Sequence, residues 1–401
     1  MNLDWLVIGG GIHGVHIAAR LVGEGHADPE RLRLLDPADT LLARWRACTA
    51  VTGMRYLRST SVHHLDLDPW SLQRFAGKRR TRRRNLFASR YDRPSLELFN
   101  SHCDHVVETY GLDALHIRDR ATTCAADGDG VTVQTVNGLD LVAQNLVLAI
   151  GSSDFPDWPT WAPRDHPRVR HVFELGFNAW PSDGQESVAV VGGGISAGQV
   201  ALRLVEEGHE VFLVSRHAFR KHQFDSDPGW LGPKNMMGYS RERSLDRRRE
   251  IINTARHRGS VPPDVWTALR NANDMRLLTR HIAEIEDLAI ERDVFRMRLS
   301  TAESIIVDRV LLATGFVMKR PGGTLVDSLI TSASLPCARC GFPVVDTALR
   351  WHPRIRVTGP LAELELGPVS RTIAGVRRAG DRIIKSLETS SKRQKAASLF
   401  A

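Results

Sequence analysis

Two glycine clusters carry the clearest chemical signal in this 401-residue chain. The first, Gly9-x-Gly11-x-x-Gly14, follows the apolar run WLVI and precedes VHIAARLV, which has helical periodicity. The first glycine allows a tight turn, the second lets backbone approach a pyrophosphate, and the third lets a helix lie close on its strand. The N–H groups that open the helix are then free for phosphate oxygens. A carboxylate at the end of the next strand should hold ribose hydroxyls, and RLRLLDP supplies Asp36. Its distance from Gly9 exceeds the usual spacing of about 20 residues, and the polar stretch GEGHADPE accounts for the excess.

The second cluster, Gly192-x-Gly194-x-x-Ala197, lies between SVAVV and GQVALRLVEEG. Alanine is a permitted third residue. Here the next strand, EVFLV, ends in Ser215-Arg216 instead of an acid, with Arg220 and Lys221 close behind. A carboxylate would repel a 2′-phosphate, whereas a hydroxyl beside a guanidinium would bind one. This predicts NADP(H) over NAD(H); the plain alternative is an exposed arginine. Two dinucleotide sites in one chain imply an electron relay, in which a nicotinamide delivers hydride to a flavin. The acid-ended unit suits FAD and the internal one suits NADPH. Two further apolar strands, NLVLAIGS and DRVLLATGF, stop at Gly151 and at Thr314-Gly315. Small residues there let the chain turn closely past a cofactor.

At this point the chain resembles the two-dinucleotide-binding-domain flavoproteins. Among them it is most similar to the flavin-dependent N-hydroxylating monooxygenases, the lysine and ornithine N-monooxygenase family. That family carries Asp, three residues, Leu or Phe, Ala-Thr-Gly-Tyr, four residues, then His or Pro. This chain has Asp308, three residues, Leu312, Ala313-Thr314-Gly315-Phe316, four residues, then Pro321. GGGISAGQ resembles the family's NADPH loop, while His13 departs from its first fingerprint.

The resemblance implies an α/β fold of two Rossmann-like dinucleotide-binding domains, for FAD and NADPH, the second inserted in the first, with a small helical cap. Residues 1–155 and 305–401 would form the FAD domain. Residues 182–304 would form the NADP(H) domain, with a helical insertion at about 228–275. The resemblance also places Trp45, Met54, Arg55 and residues 57–59 along the isoalloxazine. It brings the turn at Gly367-Pro368, and a helix from about Arg371, towards the flavin. His63 and His64 are acid–base candidates, though a histidine in such a loop is more often structural. The terminal TSSKRQKAASLFA is expected to be loose.

The implied activity is hydroxylation of a nucleophilic nitrogen on a small substrate by O2, through a flavin hydroperoxide. A flavin reductase acting on a quinone, disulfide or protein partner is the alternative, as is a regulatory flavoprotein with little turnover. The reductase reading draws on Cys337-x-x-Cys340, a spacing that can be redox active or an innocent loop. Two cysteines cannot close a zinc site, and no metal is expected. HVFELGFNAWP has its His171 and Trp180 at the wrong spacing for a Baeyer–Villiger signature.

Composition sets outer limits. A formal net charge of +8 suits a protein that holds two anionic dinucleotides. Part of it is the run Lys78 to Arg84, which without interleaved aromatics reads as a solvated loop and not a nucleic-acid site. Five cysteines do not make a disulfide framework, and no apolar run reaches membrane-spanning length. The chain enters a strand at once, so no signal peptide is expected, and the cytoplasm is the expected location.

Overall fold

The computed structural model describes residues 2–77, 85–126, 130–181 and 184–399, with side chains to residue 389. The basic run at 78–84 lies outside the described residues.

Two parallel sheets organise the chain, each centred on a glycine-turn strand. In the first, Asn2–Ile8 lies between Leu32–Asp36 and Asp140–Leu148. His116–Arg118 extends one side and Ile355–Val357 the other. In the second, Ser187–Val191 lies between Glu210–Ser215 and Arg309–Leu312. Leu278–Ile282 and Val169–His171 complete the edges. The central strands are covered on both faces, so they read as unbroken apolar runs. An antiparallel meander precedes each Gly-ended strand, joined to the sheet in the first case and forming a separate three-stranded sheet in the second. In the first, Ala121–Ala126 and Val131–Thr135 lead into Asp140–Leu148. In the second, Ile285–Glu291, Val294–Leu299 and Ser304–Val307 precede Arg309–Leu312.

The second unit is inserted in the first, because Ile355–Val357 pairs with Asp140–Leu148 only after the whole second sheet has formed. The edges differ from the expected 182 and 305. Val169–His171 and Arg309–Leu312 both pair within the second sheet, so the chain enters it earlier and leaves it later. The two crossovers run side by side. Pro156 bridges Phe316, Asp157 N–H donates to Gly315 O at 2.9 Å, and Val317 N–H donates to Phe155 O at 2.9 Å.

The expected helical insertion is present as Pro233–Arg241, Leu245–Ala255 and Pro263–Asp274. Its Met236, Tyr239 and Ile252 pack with Ala338, Phe342 and Leu364, so the insertion is tied to the returning chain. The C-terminal helix, Ile373–Leu399, lies against the first helix, Ile12–Gly23. A Cβ on Gly380 would sit 2.9 Å from His16 Nε2, which shows how close the two approach. The tail expected to be loose instead continues this helix to Leu399.

Candidate cofactor and active site

The first turn has the geometry its three glycines predict. Gly9 has φ +111°, and a Cβ there would meet Ala149 O at 2.6 Å. A Cβ on Gly14 would fall 1.7 Å from Gly9 O, so helix and turn could not touch with any larger residue. Gly11 is the N-cap of Ile12–Gly23, with no side-chain cap and nothing within 4 Å of its would-be Cβ. Free helix N–H groups therefore open onto free space, the shape a diphosphate needs. Asp36 is fixed at the strand end by N–H groups of Gly10 (2.6 Å) and Ala38 (2.9 Å).

His13 sits beside this opening. Its Nδ1 is 2.9 Å from Thr358 Oγ1, and its ring lies over Gly359, whose φ is +64°. Its Nε2 is shut from water and has no hydrogen-bond partner among the described residues. Burial holds the ring down to about 4, so it is neutral near pH 7. The Thr358 contact sets the tautomer: with the hydroxyl donating to Nδ1, the neutral ring carries its proton on Nε2.

The second turn repeats the scaffold. Gly192 has φ +154°, and a Cβ there would meet Ala313 O at 2.4 Å. Ala197 is fully buried at the third position. The N-cap Gly194 again lacks a side-chain cap, but its would-be Cβ is 3.7 Å from Gly259 Cα of the insertion. Ser215 departs from expectation. It is buried, and its hydroxyl donates to His217 O at 3.0 Å instead of facing a ligand. Arg216 and Arg220 are exposed and make no ion pair among the described residues; Lys221 is also exposed and lies over the Trp266 ring.

Between the turns, Trp45 packs on Phe99 and donates Nε1–H to Asn100 Oδ1 at 3.0 Å. Met54 packs against the first core. Arg55, expected along the flavin, is exposed and pairs with Glu206 of the second glycine-turn helix at 2.6 Å. Arg58 is the deeper tie, donating to the carbonyls of His222, Gln223 and Phe224, to Ser260 Oγ and to Asp225. Gly151 is exposed, with only Ser153 Oγ near a would-be Cβ. Gly315 has φ +88° and open space around it. Thr314 donates to Asp157 O and receives His171 Nε2–H at 3.1 Å, while His171 Nδ1 accepts from Phe173 N–H. Asp308, first residue of the ATG-type motif, accepts from Ser187 N–H (2.8 Å) and Oγ (2.6 Å), which locks two strand starts together. Gly367 has φ +76° and opens the 3-10 turn Pro368–Arg371 that leads into the C-terminal helix.

The histidine pair is held by its own loop. His64 accepts Asp66 N–H at Nδ1 (3.2 Å) and donates Nε2–H to Pro69 O (3.0 Å), so both nitrogens are committed. Burial, then the charge of Arg377, holds His63 at about 4; burial is also the main reason His64 sits at about 4. Arg377 clamps that loop through the carbonyls of His64, Asp66 and Leu67. The cysteine pair occupies a tight hairpin, with Ala338 N–H donating to Phe342 O and Gly341 N–H to Ala338 O. Both thiols are free and exposed, and burial raises that of Cys337.

The paired strand–turn–helix units, with open helix N-termini at each, decide the architecture. The fold is that of a two-dinucleotide-binding-domain flavoprotein. Residues 6–153 match a family described as FAD-NAD(P)-binding, and residues 80–241 match one described as pyridine nucleotide-disulphide oxidoreductase. A comparison with curated proteins gave no match. Among solved structures, an ornithine N-hydroxylase from Kutzneria sp. 744 is 16% identical, with TM-score 0.76 over 98% of this chain and 100% of that one. The cadaverine monooxygenase of the desferrioxamine pathway from Erwinia amylovora, bound to FAD, is 14% identical, with TM-score 0.73 over 96% and 94%. A bacillithiol disulfide reductase from Bacillus cereus is 17% identical, with TM-score 0.63 over 97% and 100%. Oxygenases and reductases thus share this fold. Among the described residues no helix is long and apolar enough to cross a membrane.

Proposed function

We propose that the chain is an FAD-dependent, NADPH-using monooxygenase that hydroxylates a nucleophilic nitrogen of a small molecule. The observation that carries this reading is the pair of equivalent glycine turns, one acid-ended and one arginine-ended, in a chain that superimposes over almost its full length on N-hydroxylating enzymes. The first unit would take FAD. Gly11 and the N-terminus of Ile12–Gly23 would receive its diphosphate, Asp36 a ribose, and His13 Nε2–H a nearby oxygen. The second unit would take NADP(H), with Gly192, Gly194 and Ala197 shaping the turn and Arg216 and Arg220 gripping the 2′-phosphate.

Bound FAD would accept hydride from NADPH and, once reduced, activate O2 for oxygen transfer. The chain's part is to position and to dry. Trp45 and Met54 offer an apolar wall that would exclude water from a reactive ring. The turn from Gly367 would aim the positive end of the C-terminal helix at it, favouring negative charge. Thr314, fixed by His171 and Asp157 O, would hold the second crossover in register with the first. Five free cysteines suit a cytoplasmic setting.

The test is O2 consumption by FAD-loaded protein with NADPH and a panel of primary amines. Hydroxylated amine formed in step with O2 uptake is expected. H2O2 as the sole product, or O2-independent reduction of a quinone or disulfide that disappears when Cys337 and Cys340 are both serine, overturns the reading.

A further inference from the structure

The hairpin at 337–343 takes no part in the proposed cofactor sites, yet it carries two free, exposed thiols, Cys337 and Cys340. It is closed by a bridge between Cys337 and Pro343 and by Ala338 N–H to Phe342 O at 2.9 Å. Gly341, at φ +79°, turns the chain, and its N–H reaches Ala338 O at 2.8 Å. One side of the hairpin is docked. Ala338 and Phe342 pack with Met236, Tyr239 and Ile252 of the helical insertion. The insertion helix Leu245–Ala255 offers Asp246 to Arg339 at 3.4 Å and, one turn on, Arg249 to the Cys340 thiol.

Arg249 is shared. It binds the fully buried Glu363 through Nη1, hydrogen-bonds the Cys340 thiol, and lies over Phe342, 4.1 Å from the ring centroid. Arg256 and Arg371 converge on the same carboxylate, at 3.4 Å and 2.8 Å. Cys340 thus borders an arginine cluster while remaining exposed. A thiol that water reaches and a guanidinium holds has the surroundings of a reactive cysteine. The other three cysteines do not. Cys103 and Cys124 are buried and Cys48 is half-buried, and burial raises all three thiols. Reactive thiols that are oxidised reversibly need a second thiol nearby to resolve them. Cys337 stands three residues away on the same hairpin, near enough for the charge of Cys340 to be felt there.

We infer that Cys340 is a peroxide-reactive thiol resolved by Cys337, and that the resulting disulfide undocks the hairpin from the helical insertion. The Cys340 thiolate attacks one oxygen of H2O2. An S–O bond forms, the O–O bond breaks, and the hydroxide that leaves takes up the thiol's proton as water. The Cys337 sulfur then attacks that of Cys340. An S–S bond forms, the S–O bond breaks, and a second water departs. Two thiols have lost two electrons, and one peroxide has gained them. Cys340 then has no thiol to offer Arg249, and the turn carrying Arg339 must adjust. A reduced flavin that meets O2 without passing oxygen on releases H2O2, so the proposed function supplies an oxidant within the same molecule. Added peroxide supplies it equally well.

The experiment treats reduced, FAD-loaded protein with one equivalent of H2O2 and reads free thiols, disulfide-linked peptides and hydrogen exchange. Two thiols should disappear into a Cys337–Cys340 disulfide, and dithiothreitol should restore them. Cys337→Ser should instead trap a sulfenic acid at Cys340 that dimedone labels, and Cys340→Ser should leave Cys337 reduced. Arg249→Gln should slow the oxidation roughly tenfold, and Arg249→Lys, which keeps the charge, should slow it less. Exchange over residues 245–255 should rise in the oxidised wild type but not in peroxide-treated Cys340→Ser. Absence of the disulfide, sulfenic acid appearing at Cys337 first, or a rate unchanged in folded Arg249→Gln overturns the reactive thiol. A disulfide that leaves exchange over 245–255 unchanged overturns the undocking. The disulfide and exchange readouts need no Arg249 variant, so one that fails to fold leaves the test intact. None of these readouts involves an amine substrate. Their failure leaves the proposed N-hydroxylation standing, and a protein that hydroxylates no amine can still form the disulfide.

Discussion

The two glycine turns are the same backbone solution used twice, finished differently. In both, the first glycine has a positive φ because the carbonyl of a neighbouring strand end, Ala149 or Ala313, occupies the place a Cβ would need. In both, that glycine's N–H is held by the strand beyond, from Leu35 O or Val214 O. The differences lie at the third position and at the tip. Gly14 touches its own turn so closely that no Cβ fits, whereas Ala197 fits, its Cβ 3.0 Å from where a Gly192 side chain would begin. The first tip is open and faces Asp36. The second is overlain by His217 and Gly259 and flanked by Arg216. Scaffold geometry is therefore shared, while the ligand is chosen by what stands at the strand end.

The sharpest way to break this comparison is at the third position. Gly14→Ala forces a methyl onto Gly9 O. It should cost about 3 kcal/mol or more and abolish FAD retention, as read by denaturant unfolding and the flavin-to-protein absorbance ratio. The mirror change, Ala197→Gly, should cost only about 1 kcal/mol from helix propensity and leave FAD bound. Equal effects would mean that the turns are not distinguished by packing.

Acid should separate the two units next. His13 and His64 are held at about 4 and His16 and His102 at about 3, mainly by burial, and all four lie in the first unit. Among the described residues of the second sheet, His171 is held down in the same way, to about 4. A buried neutral histidine binds fewer protons folded than unfolded, so stability is full above about pH 6.5 and falls as the pH drops towards the folded value. His16 by itself accounts for about 3 kcal/mol lost by pH 4. Flavin should therefore be released on acidification before the second unit loses its NADP(H) affinity. His16→Asn should flatten the pH dependence of Tm, and a slope unchanged in that variant would contradict the assignment.

Smaller effects probe the tips. Arg216→Ala should weaken NADPH binding roughly tenfold to a hundredfold while leaving NADH binding unchanged. A parallel loss for both nucleotides would place Arg216 away from the 2′-phosphate. Arg55→Ala removes an exposed ion pair between the units and should cost less than about 1 kcal/mol with little change in flavin content. A large loss of FAD would return Arg55 to the flavin wall.

Several features were legible because they are local. A strand–glycine turn–helix is written within about 20 consecutive residues, and an acid or arginine at the next strand end follows directly. The antiparallel crossover pairing of residue 156 with 316 is not local, so the expected domain edges fell on the wrong side of Val169–His171 and Arg309–Leu312. Adjacent histidines at 63 and 64 look like chemistry in one dimension. Their hydrogen bonds to Asp66 and Pro69, under the clamp of Arg377 from the far end of the chain, look like loop structure in three. Ser215 reads as a ligand by type, but its hydroxyl turns inward to His217 O. The terminal residues read as loose by composition, yet they prolong a helix anchored on His16 and Arg20.

The sequence by itself determined the two cradles, because glycine's freedom at positive φ and the sign of one side chain at a strand end are properties of neighbouring residues. Tertiary structure alone decided the arginine cluster around Glu363. Arg249 and Arg256 come from the insertion and Arg371 from the return, more than a hundred residues away, and no local periodicity links them. Charges that far apart in the chain acquire a shared field only when folding removes the water between them.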